Sequence, residues 1–303
     1  MTPTWIAIDW GTTNLRGWAM GPAGVLAEGE SPKGMSSLKP AEFEPALLEV
    51  IGPWIAGHTG APIPVYACGM VGAKQGWVEA PYRLVPCAPV HAGELMSVPV
   101  QDARISVQIT PGLKQEKPAD VMRGEETQIG GALALHPNFD GAICLPGTHS
   151  KWTQVSAGEV VSFQTFMTGE MFALLSTQSV LRLGMGGDGW DDGAFDTGVA
   201  EGMARPERMA ASLFRLRAEG LLAGLTPDAA RARLSGLLIG AELAAARAYW
   251  LGMDVALIGS AKTAPLYARA LAAQGVTARA VPAADCTLAG LSRAAGHLAK
   301  DKP

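Results

Sequence analysis

Short apolar runs open the chain, punctuated by turn formers. Trp5, Ile6 and Ile8, then Leu15 to Met20, then Val25 to Glu28 form runs separated by Gly11-Thr12-Thr13-Asn14 and Gly21-Pro22-Ala23-Gly24. Their β-branched and aromatic residues predict an antiparallel meander whose first turn is a hairpin tip. The spacing then becomes helical: Phe43, Leu47, Val50, Ile51 and Trp54 share a face, Pro45 is tolerable in the first turn and Gly52-Pro53 marks the end. Ile63 to Cys68 predicts a buried strand that leads into Gly69-Met70-Val71-Gly72 and on to Trp77. Two glycine steps there fit a ligand-facing loop, and equally a plain surface loop whose Trp77 packs on the core. Residues 81–99 read as loop with short edge strands, and Ile105 to Ile109 as a strand stopped by Thr110-Pro111-Gly112. The polar stretch Leu113 to Asp120 reads as a domain boundary, giving domains 1–115 and 116–303.

The second half opens much as the first does. Val121 to Gln128 leads into a helix that ends near Leu135. A strand Ala142 to Leu145, a turn Pro146 to Lys151, a strand Trp152 to Val155 and a strand Glu159 to Phe166 then repeat the strand, Gly-Thr tip, strand order of residues 5–20. Met167-Thr168-Gly169-Glu170 caps a helix running to about Leu181, and helices dominate from Phe195 onward. Thr226-Pro227-Asp228 places a capping hydroxyl before a proline, with Leu234, Leu237, Leu238, Leu243 and Trp250 on the apolar side of the helix that follows. Val255 to Ile258 is a strand, Gly259 to Thr263 opens another helix, Val276 to Val281 is a strand, and Asp285 caps a final helix to Lys300.

Composition narrows the function classes. The 303 residues are 48% hydrophobic and 17% charged with a net charge of −4, ordinary globular material with no Lys/Arg run, so nucleic acid is not an expected partner. Leu237 to Gly259, the most apolar region, carries Glu242, Arg247 and Asp254 and does not suit a bilayer. No basic start followed by an apolar region suggests a signal peptide, so a cytoplasmic protein is expected. Cys68, Cys87, Cys144 and Cys286 lack metal or redox spacing and read as buried thiols. Gly184 to Gly189 matches G-x-G-x-x-G by letter but follows no strand, and no P-loop string occurs.

The candidate chemistry lies in the turns. At the first tip Gly11 admits close approach of a ligand, Thr12, Thr13 and Asn14 offer donors to phosphate oxygens, and Asp9 sits where Mg²⁺ would bridge to them. The alternative is that these are turn formers bonding their own backbone. Gly147-Thr148 forms the second tip, and two such tips suit the two ends of a triphosphate. His149 beside it reads as a turn histidine. Amides at Gly259-Ser260 suit an α-phosphate or ribose. Arg123 beside Glu125 and Glu126 at a helix start is unusual, although the helix macrodipole and a surface ion pair offer plain explanations.

Ordered together, these segments resemble the phosphate-1, phosphate-2 and adenosine elements of the actin/hexokinase ATPase superfamily. More closely, Ile8 to Arg16, Gly69 to Gly72, Met122 to Gln128, Pro146 to Trp152, Met167 to Glu170 and Ser235 to Glu242 resemble the 2-dehydro-3-deoxygalactonokinase family. The resemblance implies an α/β, two-domain actin-like ATPase (ribonuclease H-like) fold with an inter-domain cleft. It implies ATP-dependent phosphorylation of the 6-hydroxyl of 2-dehydro-3-deoxy-D-galactonate in galactonate degradation. ATP and Mg²⁺ are the implied cofactors, a small sugar acid the implied substrate, and a homodimer is left open. Asp9 would hold Mg²⁺. Gly11, Thr12, Thr13, Asn14, Gly147 and Thr148 would bind phosphates with charge from Lys151 or Arg16, and Gly259 and Ser260 would border the adenosine. Glu125, with Glu126 second, would act as base, because the string is similar to the Gly-Asp-Gln-Gln segment of carbohydrate kinases. Arg123 would fork onto the substrate carboxylate, with Ser36, Met70, Gly72, Gln75, Trp77 and Thr168 as pocket walls. One departure concerns the metal side: phosphate-2 elements commonly open with aspartate, and this strand ends in Leu145-Pro146. Two alternatives stay open, a kinase of another small sugar or acid on the same fold and a nucleotide-gated ATPase or activator.

Overall fold

The computed structural model describes residues Thr2–His297. The chain divides into two compact units, the first comprising residues up to Phe139, Ser156–Ser162 and the chain from Ala283 on, the second Asp140–Val155 and Phe163–Pro282.

In the first unit the predicted meander forms as β1 (Trp5–Trp10), β2 (Leu15–Gly21) and β3 (Gly24–Ser31), followed by α1 (Phe43–Ile51) and β4 (Ile63–Gly69). Short strands β5 (Tyr82–Leu84) and β6 (Met96–Val98) precede β7 (Ile105–Ile109). The main sheet runs β3-β2-β1-β4-β7-β6, with β4 parallel to both β1 and β7. Ile6, Ile8, Val65 and Val107 point to one face of this sheet and bury against Phe43, Leu47 and Ile51 of α1, as period-two strands and a period-four helix require. The polar stretch read as a domain boundary forms a hairpin, β8 (Gly112–Glu116) with β9 (Ala119–Met122). Leu113 and Met122, paired across it, are buried while Lys114, Gln115 and Glu116 reach water, so the polarity marks a small edge sheet. The division of the chain falls after Phe139, not at 115/116, because α2 (Glu125–Leu135) packs within the first unit against α9 (Ala283–Ala294). Residues 298–300 of the predicted final helix lie outside the described residues.

The second unit repeats the first unit's strand order. Its sheet runs β12-β11-β10-β13-β14, built from β10 (Gly141–Leu145), β11 (Ser150–Ser156), β12 (Glu159–Phe166), β13 (Val255–Gly259) and β14 (Arg279–Pro282). The predicted turn is shorter than read, since β11 starts at Ser150 and takes in Lys151. The helices are α3 (Thr168–Thr177), α4 (Asp192–Ala204), α5 (Met209–Leu222), α6 (Pro227–Ala245), α7 (Arg247–Trp250) and α8 (Ala264–Ala272). Thr226 caps α6 as expected, its hydroxyl accepting from the Ala229 amide. The α3 helix ends at Thr177, short of Leu181, and a 3₁₀ turn, Val180–Gly184, follows it.

Helices α4 and α6 meet backbone to backbone. Side chains at Gly198, Gly202, Gly236 and Gly240 would lie 2.1–2.4 Å from carbonyl oxygens of the facing helix, closer than any Cβ can come. Replacing Gly236 by alanine would set its Cβ 2.1 Å from the Phe195 carbonyl oxygen. We expect Gly236→Ala to cost about 1–3 kcal/mol of stability, read as a lowered urea midpoint.

Candidate active site

In the first unit the sheet brings three backbone segments to one corner. Asp9 and Arg16 stand opposite each other across the β1/β2 pair, and Arg16 Nη2 donates to Asp9 Oδ2 at 2.6 Å. The turn between them closes through the Gly11 amide on the Asn14 carbonyl at 2.9 Å and leaves Thr12, Thr13 and Asn14 exposed. Ser36 fastens this turn from below, its amide and hydroxyl both donating to the Thr12 carbonyl. Beside β1, β4 ends at Gly69, whose φ of +93° favours glycine and where a Cβ would lie 2.7 Å from the Trp10 carbonyl. Gly124 precedes α2 with φ +103°, and its Cβ would meet Gly69 Cα at 3.2 Å. The end of β1, the end of β4 and the start of α2 therefore share one corner.

The two glutamates after Gly124 differ. Glu126 is fully buried: its Oε2 accepts from the Gly124 amide at 2.6 Å, while the Thr110 and Thr127 hydroxyls donate to Oε1. Burial, then the neighbouring Glu125 charge, pushes its pKa up to about 7. Glu125 is half-buried and accepts from the Arg123 amide at 3.1 Å. The Cys68 thiol beside the corner is pushed well up by burial, then by the Asp9 and Glu126 carboxylates, and is inert.

Arg123 is 8% exposed. Its Nη2 donates to the Ala80 carbonyl at 2.7 Å and its guanidinium lies 4.2 Å from the Tyr82 ring centroid. Nε and Nη1 have no partner among the described residues, and a Cβ on Gly72 would come within 2.9 Å of Nη1. A buried guanidinium with unmet donors is costly by itself and suits a planar anion.

In the second unit Gly147, Thr148 and His149 form the exposed tip. The start of α3 presses against it: the Glu170 amide donates to the Thr148 carbonyl at 2.9 Å, and a Cβ on Gly169 would lie 2.2 Å from the Gly147 oxygen. His149 Nε2 meets Glu170 Oε2 at 2.6 Å. Behind the tip lies a cavity of about 530 Å³ bordered by Gly147, Thr168, Trp190, Arg231, Lys262 and Tyr267. Ser260 caps the turn before α8, its hydroxyl accepting from the Lys262 and Thr263 amides.

A family model described as 2-keto-3-deoxy-galactonokinase matches residues 9–294. The chain belongs to that family. It is 40% identical over 297 residues to 2-dehydro-3-deoxygalactonokinase DgoK1 of Rhizobium meliloti (strain 1021), with 95% of each chain covered. Over 227 residues, 74% of each chain, it is 37% identical to 2-dehydro-3-deoxygalactonokinase of Escherichia coli (strain K12). A crystal structure of the Sinorhizobium meliloti 2-dehydro-3-deoxygalactonokinase superposes with TM-score 0.87 at 40% identity, covering 97% of this chain and 96% of that one. The activator of the 2-hydroxyisocaproyl-CoA dehydratase from Clostridium difficile, at 12% identity and TM-score 0.53, and the Acidaminococcus fermentans (R)-2-hydroxyglutaryl-CoA dehydratase component A, at 14% and 0.51, share the fold alone.

On the galactonokinase scaffold several predicted residues take other positions. Arg16, expected to face phosphate, is bound to Asp9. Lys151 is buried and belongs to β11, which begins at Ser150, not to the exposed turn 147–149. Trp77 stacks on Phe43 and meets Trp10 edge-on, so it serves the core. Ser36 braces the first turn. Thr168, grouped with the sugar-acid walls, borders the second unit's cavity, whereas Met70 and Gly72 lie in the first unit and Gln75 is exposed. Gly259 packs against Pro146 and Ala264. Trp190, Arg231, Lys262 and Tyr267 went unread as cavity residues, although Trp190 directly follows the glycine-rich string at 184–189.

The raised Glu126 pKa sets a pH signature. The folded chain keeps this proton up to about 7 while an unperturbed glutamate releases it near 4.5. The folded state therefore binds more protons in that window, and this group's contribution to stability falls as pH rises through it. Glu126→Gln, whose amide can donate to the threonine hydroxyls, should lack that slope. Urea unfolding at about pH 5 and about pH 7.5 measures the difference.

Proposed function

We propose that the chain transfers the γ-phosphoryl group of ATP to the 6-hydroxyl of 2-dehydro-3-deoxy-D-galactonate, giving the 6-phosphate and ADP in galactonate degradation. The observation that carries this reading is Arg123: a buried guanidinium with two unmet donors, two residues from a half-buried carboxylate. Such a pair suits a substrate with a carboxylate at one end and a hydroxyl to be deprotonated at the other. Family membership and the names of the relatives support the same acceptor.

Phosphoryl transfer needs in-line placement, neutralised charge and a group to take the acceptor proton. Glu125 takes the proton of the 6-hydroxyl as its oxygen attacks the γ-phosphorus and ADP leaves. Glu126 has its pKa pushed up to about 7, but its oxygens are engaged by the Gly124 amide and two threonine hydroxyls, and reach precedes pKa in choosing a base. Its place is to hold the Gly124 amide, and with it the start of α2. Arg123 forks onto the substrate carboxylate, steadied by the Ala80 carbonyl and the Tyr82 ring. Thr12, Thr13 and Asn14 donate to phosphate oxygens from the first tip, and Gly147 and Thr148 from the second. Trp190, Lys262 and Tyr267 border the nucleoside, and Thr168 joins them on that side.

Magnesium fits Asp9. The ion favours one or two carboxylates supplemented by phosphate oxygens and water over a closed cage of protein ligands. Asp9 is one half-buried carboxylate oriented by Arg16, and no group of three metal-ligating side chains occurs among the described residues. Bound there, Mg²⁺ would neutralise phosphate charge. No helix among the described residues is long and apolar enough to cross a membrane, in keeping with a cytoplasmic enzyme of small-molecule metabolism.

Two variant pairs test these roles. Glu125→Gln should lower kcat by about 10²–10⁴ while ADP binding persists, and Glu126→Gln should lower it less. Equal activity of Glu125→Gln and wild type would remove Glu125 as base. Arg123→Lys loses the planar fork and should raise KM for the keto-deoxy acid about 10- to 100-fold with KM for ATP unchanged. Turnover of an uncharged hexose in preference to the acid would reject the substrate.

A further inference from the structure

Glu242 is buried in the second unit, 2% exposed, and no step above uses it. Trp152 Nε1 donates to its Oε1 at 2.8 Å and the Tyr267 hydroxyl to its Oε2 at 2.7 Å. The Thr168 and Ser150 hydroxyls also hydrogen-bond to it, and Ser150 Oγ lies 2.8 Å from the Tyr267 hydroxyl. Burying a carboxylate is expensive unless such donors surround it. A leucine or methionine at this point of α6 would fill the space without that cost, so the donors gathered there call for an explanation.

Their origins supply one. Ser150 and Trp152 stand on β11 directly after the second tip, Thr168 begins α3, whose next residue packs on the Gly147 oxygen, and Tyr267 belongs to α8. Thr168 and Tyr267 are also walls of the 530 Å³ cavity. One carboxylate on α6 therefore fixes, at once, two walls of that cavity and the strand and helix that hold the tip. We propose that Glu242 is a positioning residue for the nucleotide, holding the Thr168 and Tyr267 walls and the Gly147-Thr148 turn in register. The inference rests on reading this cavity as the ATP site.

The network predicts which replacement is tolerated. The oxygen of a glutamine can accept from Trp152, and its amide can donate to the Tyr267 hydroxyl, which then donates onward to Ser150. Methionine fills the volume and accepts from neither. Calorimetric titration with ADP and separate KM values for ATP and the keto-deoxy acid read the effect. Glu242→Met should weaken ADP and raise KM for ATP about tenfold or more, with KM for the acid within about twofold because Arg123 lies in the other unit. Glu242→Gln should return ADP affinity to within about threefold of wild type. Tyr267→Phe keeps the ring as a wall and removes only the hydroxyl. It should weaken ADP by about threefold or more, and it decides the matter if Glu242→Met does not fold. Wild-type ADP affinity in Glu242→Met or Tyr267→Phe, equal rises of both KM values, or a glutamine variant as impaired as the methionine one would overturn the role of Glu242 and leave the nucleotide reading intact. Wild-type protein that does not bind ADP, or Lys262→Glu and Trp190→Ala variants that bind it unchanged, would overturn the nucleotide reading and this inference together.

Discussion

The contact on which the first unit's chemistry depends is between backbones. At the end of β4, Gly69 lies so near the Trp10 carbonyl and Gly124 that neither glycine accommodates a Cβ without movement, and both take positive φ values. This close approach sets the carboxylate that ends β1 and the glutamates that begin α2 at one edge of the sheet. The glutamates then stabilise the corner they occupy, since Glu126 satisfies the Gly124 amide that would otherwise be left open at the helix start. Both glutamates accept a backbone amide, but Glu126 is fully buried and also takes the Thr110 and Thr127 hydroxyls, while Glu125 stays half-buried beside Arg123.

The second unit solves a similar problem with different means. Its tip is held from outside, by Gly169 against Gly147 and by the Glu170 amide on Thr148, and α6 is locked to α4 through four glycines. Close helix contact fixes where α6 presents Ser235, Leu238 and Ile239 to the cavity and where it places Glu242 behind it. Small residues set the distances, and polar groups buried behind them set the orientations.

Much of this was legible in the sequence because it is local. Asp9 and the Gly11–Asn14 turn, the repeated strand order, the Thr226 cap and the Gly-Glu-Glu helix start each depend on neighbouring residues, and strand alternation and turn chemistry announce them. What escaped depends on distant partners. The charge of Arg16 suggested phosphate, but cross-strand register sets it against Asp9. Lys151 looked like a turn cation until the strand began one residue before it. Trp77 and Thr168 were grouped with the sugar-acid pocket, yet an aromatic cluster takes the first and the other unit's cavity the second. The glycines of α4 and α6 produce little apolar periodicity, so their packing face was invisible, and polar residues 113–120 resembled a domain boundary because half of an edge hairpin faces water. The unmet donors of Arg123 are a property of packing alone.

The glycine-to-glycine contact at this corner holds Glu125, the proposed base, at the start of α2. Its most direct test is Gly124→Ala, assayed for ADP release with ATP and 2-dehydro-3-deoxy-D-galactonate, alongside ADP titration. A methyl group there should shift the start of α2, lowering kcat at least about 10²-fold while ADP affinity, which we propose is seated in the other unit, stays as in wild type. Wild-type turnover in that variant would contradict the account.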